Sequence, residues 1–133
     1  MIKQAIIPLA GQGTRLLPLT SVFAKELLPI NGRPGVEYIL DECIEAGIKE
    51  IIFIISQKKL MIKKYFYSDT FYKNIIKKKK DPKVIEEYKK ILKYKKMIKF
   101  VYQNKPKGTG DAVLKTKKLI KDKYFLMSVS YTH

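Results

Sequence analysis

Five apolar residues in succession, Ile51 to Ile55, run between Glu50 and Ser56 in the stretch EIIFIIS. A strand with one wet face alternates polar and apolar residues; an unbroken run of strand length suits a strand buried on both faces, as in parallel sheets. The residues before it fit that demand. KQAIIPL (3–9) is a second short apolar run, followed by a loop from Ala10 to about Arg33 rich in Gly, Pro and Thr. Pro34 then stands where a first helical turn tolerates it, and Val36, Ile39, Leu40, Cys43 and Ile44 recur at helical spacing up to Gly47, a good C-terminal stop. Strand, helix and strand in this order predict a right-handed parallel unit.

The remainder continues the alternation. Residues 57–66 predict a short helix, and 67–82 mix aromatic residues with a lysine run ending at Pro82. Val84, Tyr88, Ile91 and Leu92 share one face of a further helix. MIKFVYQ (97–103) reads as a strand, GTGDAVLKTKKLI (108–120) as a helix opening from a glycine-rich turn, and KYFLMSV (123–129) as a fourth strand. The sum is an open, mostly parallel α/β sheet without internal repeats or linkers, sized for one core at 133 residues.

The net charge of +16 raises the question of polyanion binding. Only Arg15 and Arg33 are arginines, the other basic residues being lysines spread along the chain with many Ile and Tyr, a mixture that AT-rich coding produces unselected. No groove-entering motif or arginine-aromatic interleaving accompanies them, so the lysines, the run at 77–80 included, read as solvated surface, and no specific nucleic acid is expected as a partner. A non-enzymatic basic polyanion-binding module stays as the alternative of a different class. With no apolar stretch of about 18 residues and no signal-peptide pattern, neither a membrane partner nor export is expected, and the location is cytoplasmic. Cys43, the single cysteine, reads as a core residue, and His133, the single histidine, is set aside as a catalytic base.

Chemistry concentrates in three segments. In AGQGTR (10–15), Gly11 and Gly13 let backbone N–H groups approach phosphate oxygens, Thr14 adds a hydroxyl, and Arg15 adds a planar fork matched to phosphate. Leu16 and Pro18 exclude the GxGxxG fingerprint, and the P-loop spacing is absent, so a phosphate loop and a plain tight turn both stay open from this stretch alone. In AKELLPING (24–32), Leu27, Leu28 and Ile30 could pin the segment to the sheet and hold Lys25 near the same phosphates; Lys25 and Glu26 as ordinary surface residues is the alternative. In QNKPKGTGDAV (103–113), Gln103 closes a strand with a planar amide able to pair with a pyrimidine edge, and Gly108 lets a base approach.

The combination of AGQGTRLLP, KELLPI, NGRP before a helix ending in AGI, and QNKPKGTGDAV resembles the N-terminal half of the bacterial UTP–glucose-1-phosphate uridylyltransferases, over residues 3 to about 125. The resemblance implies a doubly wound nucleotide-diphospho-sugar transferase fold of glycosyltransferase-A type. It implies transfer of the uridylyl group of UTP to glucose 1-phosphate, giving UDP-glucose and pyrophosphate. By position, Ala10 and Gly11 would contact the base, Gly13 and Thr14 would shape the triphosphate loop, and Arg15 and Lys25 would stabilise the reacting phosphates. Glu26 is the motif neighbour of Lys25, and Gln103 with Gly108 would recognise uracil. Thymine presents the same edge, so another sugar-phosphate nucleotidyltransferase using dTTP or CTP is the alternative. Full-length family members are expected to be homo-oligomers.

The departures bear on the metal. Ser21 and Ala24 replace the Lys and Pro usual before the KExLP motif, and Asp111 stands where His is common. After KYFLM the family continues into an acidic turn whose Asp binds Mg²⁺; here SVSYTH follows, and no carboxylate is available near Tyr131. Mg²⁺ is therefore implied as cofactor, with no metal ligand assigned. The reading is of an N-terminal fragment, residues 1–127 forming the nucleotide-binding part and 128–133 an atypical tail. It is expected to expose an apolar sheet edge and face and to be inactive alone.

Overall fold

A computed structural model describes residues 2–9, 14–103 and 126–127. In chain order these form β1 (Gln4–Pro8), β2 (Pro29–Ile30), β3 (Arg33–Pro34), α1 (Gly35–Glu45), β4 (Glu50–Ile55), α2 (Leu60–Tyr67), α3 (Thr70–Lys78), α4 (Pro82–Lys95), β5 (Ile98–Tyr102) and β6 (Leu126–Met127). The main sheet has the order β5-β4-β1-β6 and every pairing in it is parallel. β4 lies between β1 and β5, as its unbroken apolar run requires, with Ile51 to Ile55 all fully buried.

Registers run from Gln4↔Glu50 to Pro8↔Ile54 and from Ile51↔Ile98 to Ile55↔Tyr102, so β1, β4 and β5 end at one edge of the sheet. On one face Ala5, Ile7, Leu9, Ile51, Phe53 and Ile55 pack with Val36, Leu40 and Cys43 of α1, Ile62 and Phe66 of α2, and Ile91 and Tyr94 of α4. Alternation sends Ile6, Ile52 and Ile54 to the opposite face, where they too are fully buried. The exposed apolar face expected from the sequence is therefore not found along β1 and β4: they have neighbours on either side and cover on both faces.

Local signals explain the helix ends. α1 stops in a Schellman arrangement: the Gly47 N–H donates to the Ile44 carbonyl at 3.0 Å and the Ile48 N–H to the Cys43 carbonyl at 2.9 Å, with Gly47 at φ 84°. Its start lies one residue later than the sequence suggests, Pro34 serving as the extended N-cap of Gly35. Asp81 caps α4, its carboxylate accepting from the Lys83 N–H at 2.9 Å, with Pro82 in the first turn.

Two segments differ from the sequence reading. The loop from Ala10 to Arg33 is structured in its described part: three short 3-10 turns are followed by a hairpin in which β2 and β3 pair antiparallel around Asn31 (φ 51°) and Gly32 (φ 79°). Two successive positive φ values are what a tight hairpin turn needs, and Asn-Gly is the pair that best adopts them. Residues 70–78, inside the stretch left without an element, form α3, whose Tyr72 ring stacks on Tyr88 of α4 at 5.5 Å. The lysines at 77–80 are exposed at its end, as read from the sequence. The predicted helix at 108–120 lies outside the described residues; of the predicted strand at 123–129, Leu126 and Met127 are described, paired with Ala5 and Ile6 of β1.

Candidate functional site

The strand order fixes where a ligand can sit. From β1 the chain builds outward to β4 and β5, then crosses back to lay β6 on the other side of β1. That reversal makes the carboxyl end of β1 a topological switch point, where an open α/β sheet leaves a crevice. Leu9, fully buried, ends this strand, its N–H donating to the Ile54 carbonyl at 2.7 Å. The chain then enters residues 10–13, so Ala10, Gly11 and Gly13 lie outside the described residues, as does Gly108. Thr14 and Arg15 open the first 3-10 turn that follows in the chain, and Arg15 is exposed.

Gln103 reaches the same edge from β5. Its backbone N–H donates to the Ile55 carbonyl at 2.8 Å, and the residue is only 6% exposed. With strands about 4.8 Å apart, β1 and β5 flank β4 at roughly 10 Å, about the span of a nucleoside. Of the predicted site residues, Gln103 and the start of the β1 loop are thus brought to one edge.

The KELL segment is fastened at four points. Ala24 is buried and its N–H donates to Met61 Sδ at 3.1 Å; Leu27 packs against the core; and the Leu28 carbonyl accepts from the Gly35 N–H at 3.1 Å. The fourth point is Glu26, 1% exposed, whose carboxylate accepts from Lys59 Nζ at 2.8 Å on Oε1 and 3.0 Å on Oε2. Glu26 is therefore no surface residue. Lys25, preceding it in the same 3-10 turn, is half-buried, and Ile30, expected as an anchor, is exposed in the hairpin.

Lys59 was not legible as a site residue. It ends the 3-10 turn Gln57–Lys59 that follows β4 and is 6% exposed. Burial pushes its ammonium below the ordinary lysine value; Glu26 opposes that shift, while the nearby charge of Lys25 adds to it. The only sequence signal is position, a lysine just past the carboxyl end of a buried central strand.

A second polar cluster accounts for the other arginine. Arg33 donates to Glu37 at 3.2 Å and to Asp41 at 2.7 Å and lies over the Tyr38 ring at 4.8 Å. Glu37, 1% exposed, also accepts from Tyr65 at 2.6 Å and pairs with Lys90 at 3.0 Å, and Tyr94 donates to Asp41 at 2.8 Å. Burial and the Glu37 carboxylate hold the Tyr65 phenol well above its usual range. Arg33 is thus engaged in tying β3 to α1.

A nucleotidyl transferase family model matches residues 4–131. The chain belongs to this family. It is 40% identical to the UTP–glucose-1-phosphate uridylyltransferase of Mycoplasma pneumoniae over 124 residues, covering 93% of this chain and 42% of that protein. Among solved structures it is similar to a UTP-bound UDP-glucose pyrophosphorylase from Acinetobacter baumannii, with a TM-score of 0.86 and 33% identity over 97% of this chain and 45% of that one. It is also similar to a UDP-glucose pyrophosphorylase complexed with UDP-glucose, with a TM-score of 0.68 and 34% identity over 90% of this chain and 42% of that one. The chain spans less than half the length of these relatives. The uridylyltransferase resemblance read from the motifs and the open parallel sheet agree with these matches.

Nucleotidyl transferases generally use a divalent metal. Among the described residues no group of three or more His, Cys, Asp or Glu side chains could hold one. Glu26, the carboxylate nearest in sequence to the β1 loop, is paired with Lys59, so the described donor set does not fit a metal. Among the described residues no helix is long and apolar enough to cross a membrane.

Proposed function

We propose that this chain binds UTP and carries the nucleotide-binding part of a UTP–glucose-1-phosphate uridylyltransferase. In that reaction a phosphate oxygen of glucose 1-phosphate attacks the α-phosphorus of UTP in line, the bond to the β,γ-diphosphate breaks, and UDP-glucose and pyrophosphate leave. No protein nucleophile is needed; positioning and charge stabilisation supply the rate. Arg15 and Lys25 are assigned to the phosphates, and Ala10, Gly11, Gly13 and Thr14 to the loop around them. Gln103 and Gly108 are assigned to the uracil edge, and Glu26 to the support of Lys25. Residues 1–127 make up this part, in a cytoplasmic enzyme whose full-length relatives form homo-oligomers, with Mg²⁺ as the metal of the complete reaction.

The observation that carries the proposal is the reversal of strand order at β1, which opens the crevice where the phosphate-type loop begins and sets Gln103 two strands away at the same edge. The similarity to a UTP-bound relative supports it. Calorimetric titration with UTP tests it, with the expected result a saturable site weakened at least tenfold by Arg15→Ala and by Gln103→Ala, since each removes a charge-assisted or planar paired contact. Binding that ignores both substitutions and falls steeply with salt overturns it in favour of a polyanion surface. A parallel titration with dTTP and CTP separates the base preferences.

A further inference from the structure

Of the four points that fasten the segment 24–28, one is made to sulfur. Ala24 is 3% exposed, and its N–H donates to Met61 Sδ at 3.1 Å. We propose that Met61 is an oxidation site: a hydroperoxide converts its thioether to the sulfoxide, which releases Ala24 and opens the near end of the segment while the far end stays fixed. The proposal goes beyond the uridylyl-transfer reading and does not depend on it.

Helical spacing sets Met61 against the segment. Ile62 and Phe66, four apart on α2, are fully buried and form its core stripe. Met61 and Tyr65, also four apart, form the adjacent stripe and are only partly buried. Both reach elements outside the sheet: the Tyr65 hydroxyl donates to Glu37 of α1, and Met61 Sδ accepts from Ala24. The Ala24 carbonyl in turn accepts from the Leu27 N–H at 3.0 Å, closing the 3-10 turn Lys25–Leu27, so Ala24 is held by both of its backbone groups. The far end of the segment is held without sulfur, the Leu28 carbonyl accepting from the Gly35 N–H at 3.1 Å.

The lone pairs that make a thioether a weak acceptor also make it a nucleophile toward peroxide. One sulfur lone pair attacks an oxygen of the hydroperoxide and the O–O bond breaks. The sulfur is oxidised to the sulfoxide, and the other oxygen is reduced, leaving with the proton as water or the corresponding alcohol. Attack through either lone pair ends the contact with Ala24. Oxygen added on the side of Ala24 would stand between nitrogen and sulfur, and an N–H···O bond by itself takes about 2.9 Å, so a separation of 3.1 Å has no room for it. Oxygen added on the other side leaves the sulfur positively polarised, and it no longer attracts the N–H. Ala24 then carries a buried donor without an acceptor, which favours opening toward water.

Hydrogen exchange of the whole chain before and after treatment with hydrogen peroxide tests this, resolved to single amides by fragmentation mass spectrometry, with the sulfoxide located in the same peptides. Met61 is expected to oxidise, and the Ala24 and Leu27 amides to exchange at least tenfold faster, while the Gly35 amide and those of β4 keep their rates. Methionine sulfoxide reductase is expected to restore the slow exchange. Met61→Gln supplies an amide oxygen that peroxide leaves intact and is expected to hold the Ala24 amide slow before and after treatment. Met61→Leu supplies no acceptor and is expected to be fast in both conditions. If one variant does not fold, the other carries the comparison, since neither is expected to respond to peroxide; a response that persists in either overturns the proposal. It is also overturned by a Met61 that stays reduced under peroxide sufficient to oxidise free methionine, or by a Met61 sulfoxide with Ala24 exchange unchanged. Acceleration of the Gly35 and β4 amides together with Ala24 overturns it as well, because the chain is then unfolding as a whole.

Discussion

Glu37→Gln separates charge from hydrogen bonding at a buried carboxylate that meets Arg33, Lys90 and Tyr65. In the structure Glu37 Oε1 receives Arg33 at 3.2 Å and Lys90 at 3.0 Å, while Oε2 receives the Tyr65 hydroxyl at 2.6 Å. A glutamine with its oxygen in the Oε1 position still accepts from both cations. Its NH₂ then faces Tyr65, whose hydroxyl can turn to accept. No polar atom is orphaned; only the negative charge is lost. Arg33 keeps Asp41 as a counter-ion, so the uncompensated charge is chiefly that of Lys90, whose side chain is 32% exposed and partly rehydrates. The expected cost is about 1–2 kcal/mol, within the range for exchanging charge-assisted for neutral hydrogen bonds. Glu37→Ala removes all three acceptor contacts and leaves Tyr65 and both cations facing a void, at about 3–5 kcal/mol. Urea unfolding followed by circular dichroism reads both, with midpoints moving at constant slope. Equal losses in the two variants, or a glutamine loss below about 0.5 kcal/mol, would refute the division between charge and acceptor geometry.

Gly32→Ala is expected to destabilise by roughly 1 kcal/mol through its φ of 79° alone, because an added Cβ meets nothing within 4 Å; a thermal melt checks it, and a much larger loss would point to a missed contact. Asp41 gives a signed pH effect: burial raises its carboxyl, but the hydrogen bonds from Arg33 and Tyr94 outweigh that and hold it below the ordinary value of 3.8. In acid the unfolded chain then binds the more protons, so this contribution is full above about pH 4 and is lost as pH falls through the folded value. Asp69, also held low by Lys73, acts in the same window. Thermal melts from pH 5 to pH 2 should therefore be flatter for Asp41→Asn than for the unaltered chain, and parallel curves would count against the assignment.

Periodicity carried the architecture because burial here is nearly binary. EIIFII lies in the middle of the sheet, KQAIIPL beside it, and the α1 residues at helical spacing face the core. Such patterns are written in single residues. α3 was missed because its apolar face is short and only half-buried: Tyr72, Ile75 and Ile76 recur at helical spacing, but none is fully buried and Phe71 beside them is exposed. Of the proposed site, the glycine loop, Lys25 and Gln103 are residue types suited to phosphate and base, and of these the structure describes Lys25 and Gln103. Lys59 was not legible in the sequence, because its significance lies in a partner 33 positions away, and nothing in a lysine's neighbours announces that its nitrogen is enclosed. The burial of Glu26 was hidden for the same reason, and the anchoring given to Ile30 belongs instead to Ala24 and Glu26.

The central place of β1 has a consequence for how the chain is made. β1 is synthesised before either of its neighbours, for its Ala5 pairs with Ile51 on one side and Leu126 on the other. At roughly 5–20 residues per second, the first partner arrives seconds after β1 leaves the ribosome and the second later still. For that interval a strand of Ala, Ile and Ile stands with its hydrogen-bonding edges bare, inviting contact with other nascent chains. The +16 charge, laid along the sequence mostly as lysine, makes every such chain repel its copies while it waits. A charge pattern unrelated to catalysis thus has work to do before the crevice exists.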